Sequence, residues 1–279
     1  MRAPEVLEAF RRLHAPGAGI LVLPNAWDAL SARIVEQAGA AAIATTSSGV
    51  SWAHGRRDGQ GLQRDEMLEA VRRIVEVVGV PVTADVEGGY GEGTPEDAAI
   101  TARGVLEAGA AGINLEDSPG RGGAVLLEAE AHAERIAAAR EVDGLFINAR
   151  VDTFLRQAGD PMSRFDETVR RATAYVAAGA DGIFVPGLAD AEVIRRLAGA
   201  VGAPLNVLAG PGSPPIAELR RLGVTRVSVG PKLALATAGL LQRAAAELLE
   251  RGSYAGLEGA AGFGEVDGMF GEKGRRGVG

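Results

Sequence analysis

The sequence predicts a single (β/α)8 TIM barrel, and three observations carry that prediction. Eight short apolar segments alternate with amphipathic segments along most of the chain, which predicts parallel strands joined by helical crossovers. The length of 279 residues suits one such barrel. The tripeptide Ala-Gly-Ala precedes three of the apolar segments, at 38–40, 108–110 and 178–180, which indicates equivalent helix-to-strand junctions.

Each strand is predicted from a run of small and β-branched apolar residues, and each helix from a 3.6-residue apolar period or from its start signals. Asp28 suits the N-cap of one helix, and Thr94 followed by Pro95 marks the start of another. The predicted strands cover 19–24, 41–45, 80–84, 112–116, 145–150, 182–186, 205–208 and 226–230. The predicted helices cover 1–17, 29–38, 65–78, 94–109, 128–141, 165–178, 190–199, 215–222 and 232–251.

The chain is predicted to contain one domain. The barrel with its N-terminal helix is expected over residues 1–251, followed by a glycine-rich, loosely ordered C-terminal tail over 252–279. Residues 46–51 are expected to form a polar loop after the second strand.

The composition narrows the class of protein. A net charge of -7 and the lack of a basic stripe argue against nucleic acid or an anionic membrane as a partner. The sequence has no cysteine, which excludes disulfides, thiolate metal sites and cysteine nucleophiles. No apolar run approaches the roughly 18 residues of a membrane span. We therefore expect a cytoplasmic protein.

Two carboxylates follow the third predicted strand, directly before a run of glycines. Asp85 and Glu87 are two residues apart, so on an extended backbone both side chains would point to the same side. Gly88, Gly89 and Gly91 allow a sharp turn and a close approach of a ligand to the backbone. Two converging acids repel each other unless a cation lies between them.

Other polar residues fall at the carboxyl ends of neighbouring strands, where active sites of barrels lie. They are Glu116, Asp117, Arg150, Asp152 and Asn206, with Asp58 on a nearby loop. An all-oxygen donor set selects Mg²⁺ or Mn²⁺. The structural alternative, which stays open for Asp117 and Asp152 above all, is that these acids cap helices or pair with Arg150.

Two further groups suit an anionic ligand. The guanidinium of Arg150 could bind a substrate carboxylate or phosphonate, or form a structural ion pair with Glu116 or Glu87. The Ser47-Ser48-Gly49-Val50 segment offers consecutive N–H groups that could hold an anionic oxygen. The three histidines do not cluster, and we expect His14 and His132 to lie on the surface.

The segments 46–50, 85–91, 115–117 and 149–152 resemble the isocitrate lyase and phosphoenolpyruvate mutase superfamily, which includes carboxyvinyl-carboxyphosphonate phosphorylmutase-like proteins. The resemblance runs from about Leu21 to Arg251. It implies a Mg²⁺ ion held by Asp85, with water-mediated help from Asp58, Glu87 and Glu116. It also implies that a 2-oxo acid, or its enolate, chelates the metal, with its carboxylate near Ser48, Gly49, Val50 and Arg150.

The resemblance further implies a homo-oligomer, a dimer of dimers, in which the last barrel helix (232–251) packs on or swaps with a neighbouring subunit.

This sequence departs from the family at positions that serve catalysis. Lyases of this family carry a cysteine, lysine and histidine in a gating loop, whereas residues 118–124 contain none of these. The residues Val185-Pro186-Gly187 also lack the histidine or glutamate usual in relatives. Arg121 or a water is the candidate replacement, beside Arg150 and Glu116 as the other candidate catalytic residues.

Three functions follow from this comparison. The first is a Mg²⁺-dependent lyase that acts on a small 2-oxo acid or 2-hydroxy dicarboxylate. It would cleave a C–C bond of this substrate, or decarboxylate it, through a metal-stabilised enolate. The second is a 2-oxo-acid-binding protein, for 2-oxoglutarate or oxaloacetate for example, with weak or no lyase activity. The third is a phosphonate enzyme, either a phosphoenolpyruvate mutase or a phosphonopyruvate hydrolase.

Overall fold

The computed structural model describes residues 3–119 and 125–271, and within them nine parallel strands form one sheet. Strand β1 (Leu21–Leu23) pairs with β9 (Arg226–Ser228), and β2 (Asn25–Ala26) pairs with β3 (Ile43–Thr45). β1 and β2 are successive pieces of one extended segment interrupted at Pro24, which has no N–H group to donate. The sheet is therefore a nearly closed barrel of the (β/α)8 type, as the sequence predicts.

Helices alternate with the strands. The remaining strands are β4 (Val82–Asp85), β5 (Gly112–Glu116), β6 (Phe146–Arg150), β7 (Gly182–Val185) and β8 (Leu205–Leu208). The helices are α1 (Ala3–Arg12), α2 (Ala29–Gln37), α3 (Ser47–Ala53), α4 (Arg64–Val77), α5 (Pro95–Glu107), α6 (Ala129–Arg140), α7 (Arg164–Ala177), α8 (Ala191–Ala200), α9 (Ile216–Arg221), α10 (Lys232–Arg251) and α11 (Phe263–Gly268).

The predicted helix starts are confirmed by their hydrogen bonds. The Asp28 carboxylate accepts a hydrogen bond from the Ser31 N–H at 2.7 Å, and the Thr94 hydroxyl accepts one from the Asp97 N–H at 3.1 Å. None of the helices in the described ranges is both long and apolar enough to cross a membrane.

Two regions differ from the sequence prediction. Residues 46–51 are not a loop, because Ser47 begins helix α3. Residues 252–271 contain a 3₁₀ turn (Ala255–Leu257) and α11, and they pack back on the barrel, since the Arg33 Nε donates to the Met269 carbonyl at 2.9 Å. The division into a barrel over 1–251 and a tail over 252–279 stays a prediction.

The side chain of Asn25 connects the split first strand to the strands on either side of it. The Asn25 amide donates to the Thr45 carbonyl at 2.8 Å, and its Oδ1 accepts from the N–H groups of Val229 and Gly230 at 2.9 and 2.8 Å. The side chain thus supplies contacts that a backbone ladder would otherwise make on both sides of the break.

The amino end of the barrel is filled by aromatic side chains. Phe10 from α1 is fully buried and meets Phe146 edge-to-face at a centroid distance of 5.5 Å. His14 stacks on Phe146 at 4.1 Å and is 6% exposed. The expectation that His14 and His132 lie on the surface is wrong, since both contribute ring surface to apolar packing; His132 is fully buried against Tyr175.

The buried position of His14 predicts a loss of stability in acid. Burial, followed by the positive charge of Arg226, lowers the pKa of His14 from 6.5 to about 4. Between these values the unfolded chain binds a proton that the folded chain excludes, so stability falls as the pH falls from 6.5 towards 4. We expect a loss of about 3 kcal/mol over this window. Chemical denaturation of the protein and of His14→Gln measures it, and an equal pH slope for the two would contradict the assignment.

Candidate active site

The site is organised around Asp85 at the carboxyl end of β4. The Asp85 N–H donates to the Thr45 hydroxyl at 2.8 Å, and Oδ2 accepts from the Ser47 N–H at 3.1 Å. Oδ1 is buried and has no hydrogen-bond partner among the described residues. Burial raises the pKa of Asp85, although the charge of Arg150 opposes the shift. A buried carboxylate oxygen without a donor suits a cation ligand.

Glu87 lies beside Asp85, but not for the reason that the sequence suggests. The strand ends at Asp85, and Glu87 has a φ of 49°, so the backbone across this pair is not extended. Glu87 accepts hydrogen bonds from the N–H of Gln60, itself at a φ of 59°, and from the Tyr90 hydroxyl at 3.5 Å. These left-handed residues mark local backbone strain of the kind found at functional sites.

Three of the predicted metal ligands, Asp58, Asp85 and Glu87, are close enough for their negative charges to repel one another. Burial, followed by the charge of Asp58, raises the pKa of Glu87 to about 7, and Asp85 contributes in the same direction. Asp58 is exposed on the turn that also carries Gln60. A divalent cation would offset this repulsion between the carboxylates, so the group of acids suits a cation-binding site.

The fourth predicted ligand, Glu116, is held by an ion-pair chain. Its Oε2 lies 2.6 Å from Nη1 of Arg150, whose Nε and Nη2 donate to the two oxygens of Asp152 at 2.6 and 3.0 Å. Asp152 is fully buried and also accepts from the Ser118 hydroxyl at 2.5 Å. Although burial opposes it, the charges of Glu116 and Asp152 raise the pKa of Arg150, which stays charged. The structural alternative, an ion pair of Arg150 with Glu116, is therefore present.

Asp117 points away from this chain into a structural cluster. Its Oδ2 accepts from the Tyr175 hydroxyl at 2.9 Å and from Arg171 at 3.1 Å, while Oδ1 accepts from the Asp152 N–H at 2.9 Å. Burial raises the pKa of Asp117 to about 6 despite these donors. This aspartate links β5, β6 and α7 beneath the site.

The Ser48, Gly49 and Val50 segment lies in the first turn of α3. The N–H groups of Ser48 and Gly49 occupy positions without intrahelical acceptors, and no side chain caps this helix. The Val50 N–H instead donates to the Thr46 carbonyl at 3.0 Å, so it is not free for a ligand. A Cβ at Gly49 would lie 2.8 Å from Trp27 and Thr46, which shows that packing requires this glycine.

Two predicted residues stand apart. Asn206 is fully buried on β8, where its Nδ2 donates to Ser228 at 3.4 Å, so it lies inside the barrel below the mouth. Arg121 lies outside the described residues, as does most of the 118–124 loop. In the ranges 3–119 and 125–271, no three acidic or histidine side chains form a ready-made metal cluster.

Sequence reasoning missed three residues around the site. Arg156 is half-exposed beyond Asp152, with its Nε 3.3 Å from the Ser118 hydroxyl, and its position four residues after Asp152 was the available signal. Gln60 places its N–H on Glu87 from a loop with no sequence signature. Arg226 lies in the barrel interior, and the available signal was an arginine at the start of a predicted apolar strand.

The fold and the site together define a class: a (β/α)8 barrel with acidic side chains that suit a cation at the carboxyl ends of β4, β5 and β6. The family model described as phosphoenolpyruvate phosphomutase matches residues 10–249. The chain belongs to this family. It therefore lies in the isocitrate lyase and phosphoenolpyruvate mutase superfamily of lyases and mutases, as the resemblance implied.

Two relatives match most of this chain in sequence. An uncharacterized protein of Mycobacterium tuberculosis is 40% identical over 223 residues, which cover 80% of this chain and 81% of the relative. The 2-methylisocitrate lyase of Halalkalibacterium halodurans is 30% identical over 208 residues, covering 72% and 66%.

Two solved structures have the same fold. A Burkholderia cenocepacia protein described provisionally as a lyase/mutase has a TM-score of 0.87 at 38% identity, covering 96% of each chain. A phosphonopyruvate hydrolase in complex with oxalate and Mg²⁺ has a TM-score of 0.81 at 24% identity, covering 94% of each chain.

Proposed function

We propose that the protein is a Mg²⁺-dependent carbon–carbon lyase acting on a small 2-oxo acid or 2-hydroxy dicarboxylate. The observation that carries the proposal is Oδ1 of Asp85, which is buried and has no hydrogen-bond partner among the described residues. It lies beside Glu87, whose pKa is raised by burial. Hard oxygen donors of this kind favour Mg²⁺, with Mn²⁺ as a substitute. The oxalate and Mg²⁺ bound by a protein of the same fold support the same ligand pair here.

The donor set supports a cation that keeps most of its waters. Asp85 would hold the ion directly, while Asp58, Glu87 and Glu116 would act through water, since no three of the acids meet at one point in the described chain. Mg²⁺ dehydrates reluctantly and commonly binds through one or two carboxylates. The bound ion would stabilise the negative charge that develops on the 2-oxo group as the adjacent bond breaks.

The protein side chains would bind and orient the organic acid. The N–H groups of Ser48 and Gly49 and the guanidinium of Arg150 are the proposed contacts for its carboxylate. Asp152 and Glu116 hold Arg150 from both sides, so its position is fixed before a ligand arrives. Arg121 and Glu116 stay the candidates for proton transfer, and Asn206 stays a candidate for supporting the substrate from below.

A product assay tests the proposal. The protein with Mg²⁺ is incubated with 2-methylmalates, citrates and oxaloacetate, and release of pyruvate or glyoxylate is followed with a dehydrogenase-coupled reaction. We expect one substrate to give product with Mg²⁺ and none to do so with EDTA. Tight oxalate binding without any product would favour the 2-oxo-acid-binding protein, and turnover of phosphonopyruvate would favour the phosphonate enzyme. Failure to bind Mg²⁺ and oxalate would overturn all three.

We also propose a homo-oligomer in which α10 packs against a second copy. The buried residues of this 20-residue helix are Ala234 and Ala244, whereas Leu235, Leu241 and Leu249 are 51%, 68% and 88% exposed. A leucine face of this length is typical of an interface. Light scattering is expected to give a multimer of the chain mass, and a smaller mass for Leu241→Glu. A monomeric native protein would refute the oligomer. A cytoplasmic location stays a prediction.

A further inference from the structure

Arg226 is the largest fully buried side chain among the residues that the structure describes, and it lies inside the barrel. Its exposed fraction is 1%. Nη2 donates to Oδ1 of Asn114 across the barrel at 3.1 Å, and the same oxygen accepts from the Asn148 amide at 2.9 Å. Nε and Nη1 have no hydrogen-bond partner in the part of the chain that the structure describes.

This arrangement is costly for folding. Burial lowers the pKa of Arg226 to about 9, while the charge of Asp85 opposes the shift, so the guanidinium is still charged at neutral pH. A buried charge without a carboxylate partner destabilises a fold, whereas an apolar residue of similar size would fill the space without that cost. Packing alone therefore does not explain an arginine at this position.

The surroundings of Arg226 connect it to the site above. Asn114, its hydrogen-bond partner, is the register neighbour of Asp85 on β5. Asn206 is the register neighbour of Arg226 itself on β8. The oxygens Asn206 Oδ1, Thr83 Oγ1 and Asp85 Oδ1 are likewise buried without a partner among residues 3–119 and 125–271. Arg226 thus belongs to a polar layer of incompletely bonded groups that extends to the proposed cation ligand.

We propose that the fixed positive charge of Arg226 weakens the binding of a bare divalent cation at the site and strengthens the binding of the anionic ligand. The inference rests on the proposed function. A single charge acts with opposite signs on a cation and an anion, and a barrel interior screens it less than water does. The site would then favour a metal–anion pair over a metal ion alone.

Two substitutions separate the charge from the hydrogen bond. Arg226→Gln removes the charge and retains an N–H donor towards Asn114, whereas Arg226→Met removes both. Mn²⁺ affinity without organic acid is measured by electron paramagnetic resonance, and oxalate affinity at saturating Mg²⁺ by calorimetry. For Arg226→Gln we expect tighter Mn²⁺ binding and weaker oxalate binding, each by roughly three- to tenfold.

Opposite signs are the result that a merely structural role would not produce. If Arg226→Gln weakens both ligands together, or changes neither, the proposal is overturned. Arg226→Met fills the same space with an apolar side chain, and the same pair of opposite shifts is expected because the charge is removed. This variant decides the question if Arg226→Gln does not fold. A native protein that binds neither ligand would overturn the proposed function as well, whereas same-sign changes in a protein that binds both would overturn this inference alone.

Discussion

The Asp85→Asn protein is expected to lose Mg²⁺-dependent binding of pyruvate, oxaloacetate and 2-oxoglutarate by more than about 100-fold while staying folded, since even groups that only support a ligand cost 10- to 100-fold. The amide can still accept the Ser47 N–H at Oδ1 or its rotated equivalent, so local geometry is kept. Because a buried carboxylate with a raised pKa is removed, thermal stability without metal should be unchanged or higher. Calorimetric titration and thermal unfolding measure the two effects.

Asp58→Asn is the matched control for this substitution. Asp58 is also an aspartate but is exposed, and its negative charge helps to raise the pKa values of Glu87 and Asp85. We expect its binding loss to be about tenfold, at the lower end of the range for groups that act through water. Unchanged binding in Asp85→Asn, or equal losses in the two variants, would remove Asp85 from its central role.

The second large effect is expected for Asp152→Ala. This fully buried carboxylate accepts two hydrogen bonds from Arg150 and one from Ser118. Removing it leaves a buried guanidinium with one acid partner, Glu116, and such losses typically cost about 3–5 kcal/mol in the free energy of unfolding. Urea denaturation measures the loss, and ligand affinity should fall with it because Arg150 is no longer fixed.

Glu192→Ala supplies the comparison at the surface. Glu192 pairs with Arg195 at 2.6 Å, but both side chains are largely exposed, so we expect no measurable change in the free energy of unfolding. If the Asp152 and Glu192 variants unfold at the same denaturant concentration, the ion-pair chain does not stabilise the site.

Much of this architecture could be predicted because it depends on local pattern. Continuous apolar runs identified the strands, a 3.6-residue apolar period or start signals identified most helices, and strand ends identified Asp85, Glu116 and Arg150 as neighbours. The ion pair between Glu116 and Arg150 was foreseen as an alternative, because a buried guanidinium requires an acid.

The rest depends on contacts between distant segments. Helix α3 has a Ser- and Gly-rich sequence of low helix propensity, and its formation goes with the tight contact of Gly49 against Trp27. The left-handed conformation of Glu87 coincides with a hydrogen bond from Gln60, 27 residues earlier. The buried state of His14 follows from Phe10 and Phe146, which no local pattern brings together.

The break in the first strand at Pro24 has a consequence for local opening. Along most of the barrel, neighbouring strands exchange an unbroken ladder of amide hydrogen bonds, but at this seam Asn25 supplies contacts through its side chain. Amide protons are expected to exchange earliest where fewest backbone bonds must break. The seam adjoins Thr45, which binds the Asp85 N–H. The part of the barrel that opens most easily therefore lies beside the ligand site. A bound ligand would slow amide exchange there first.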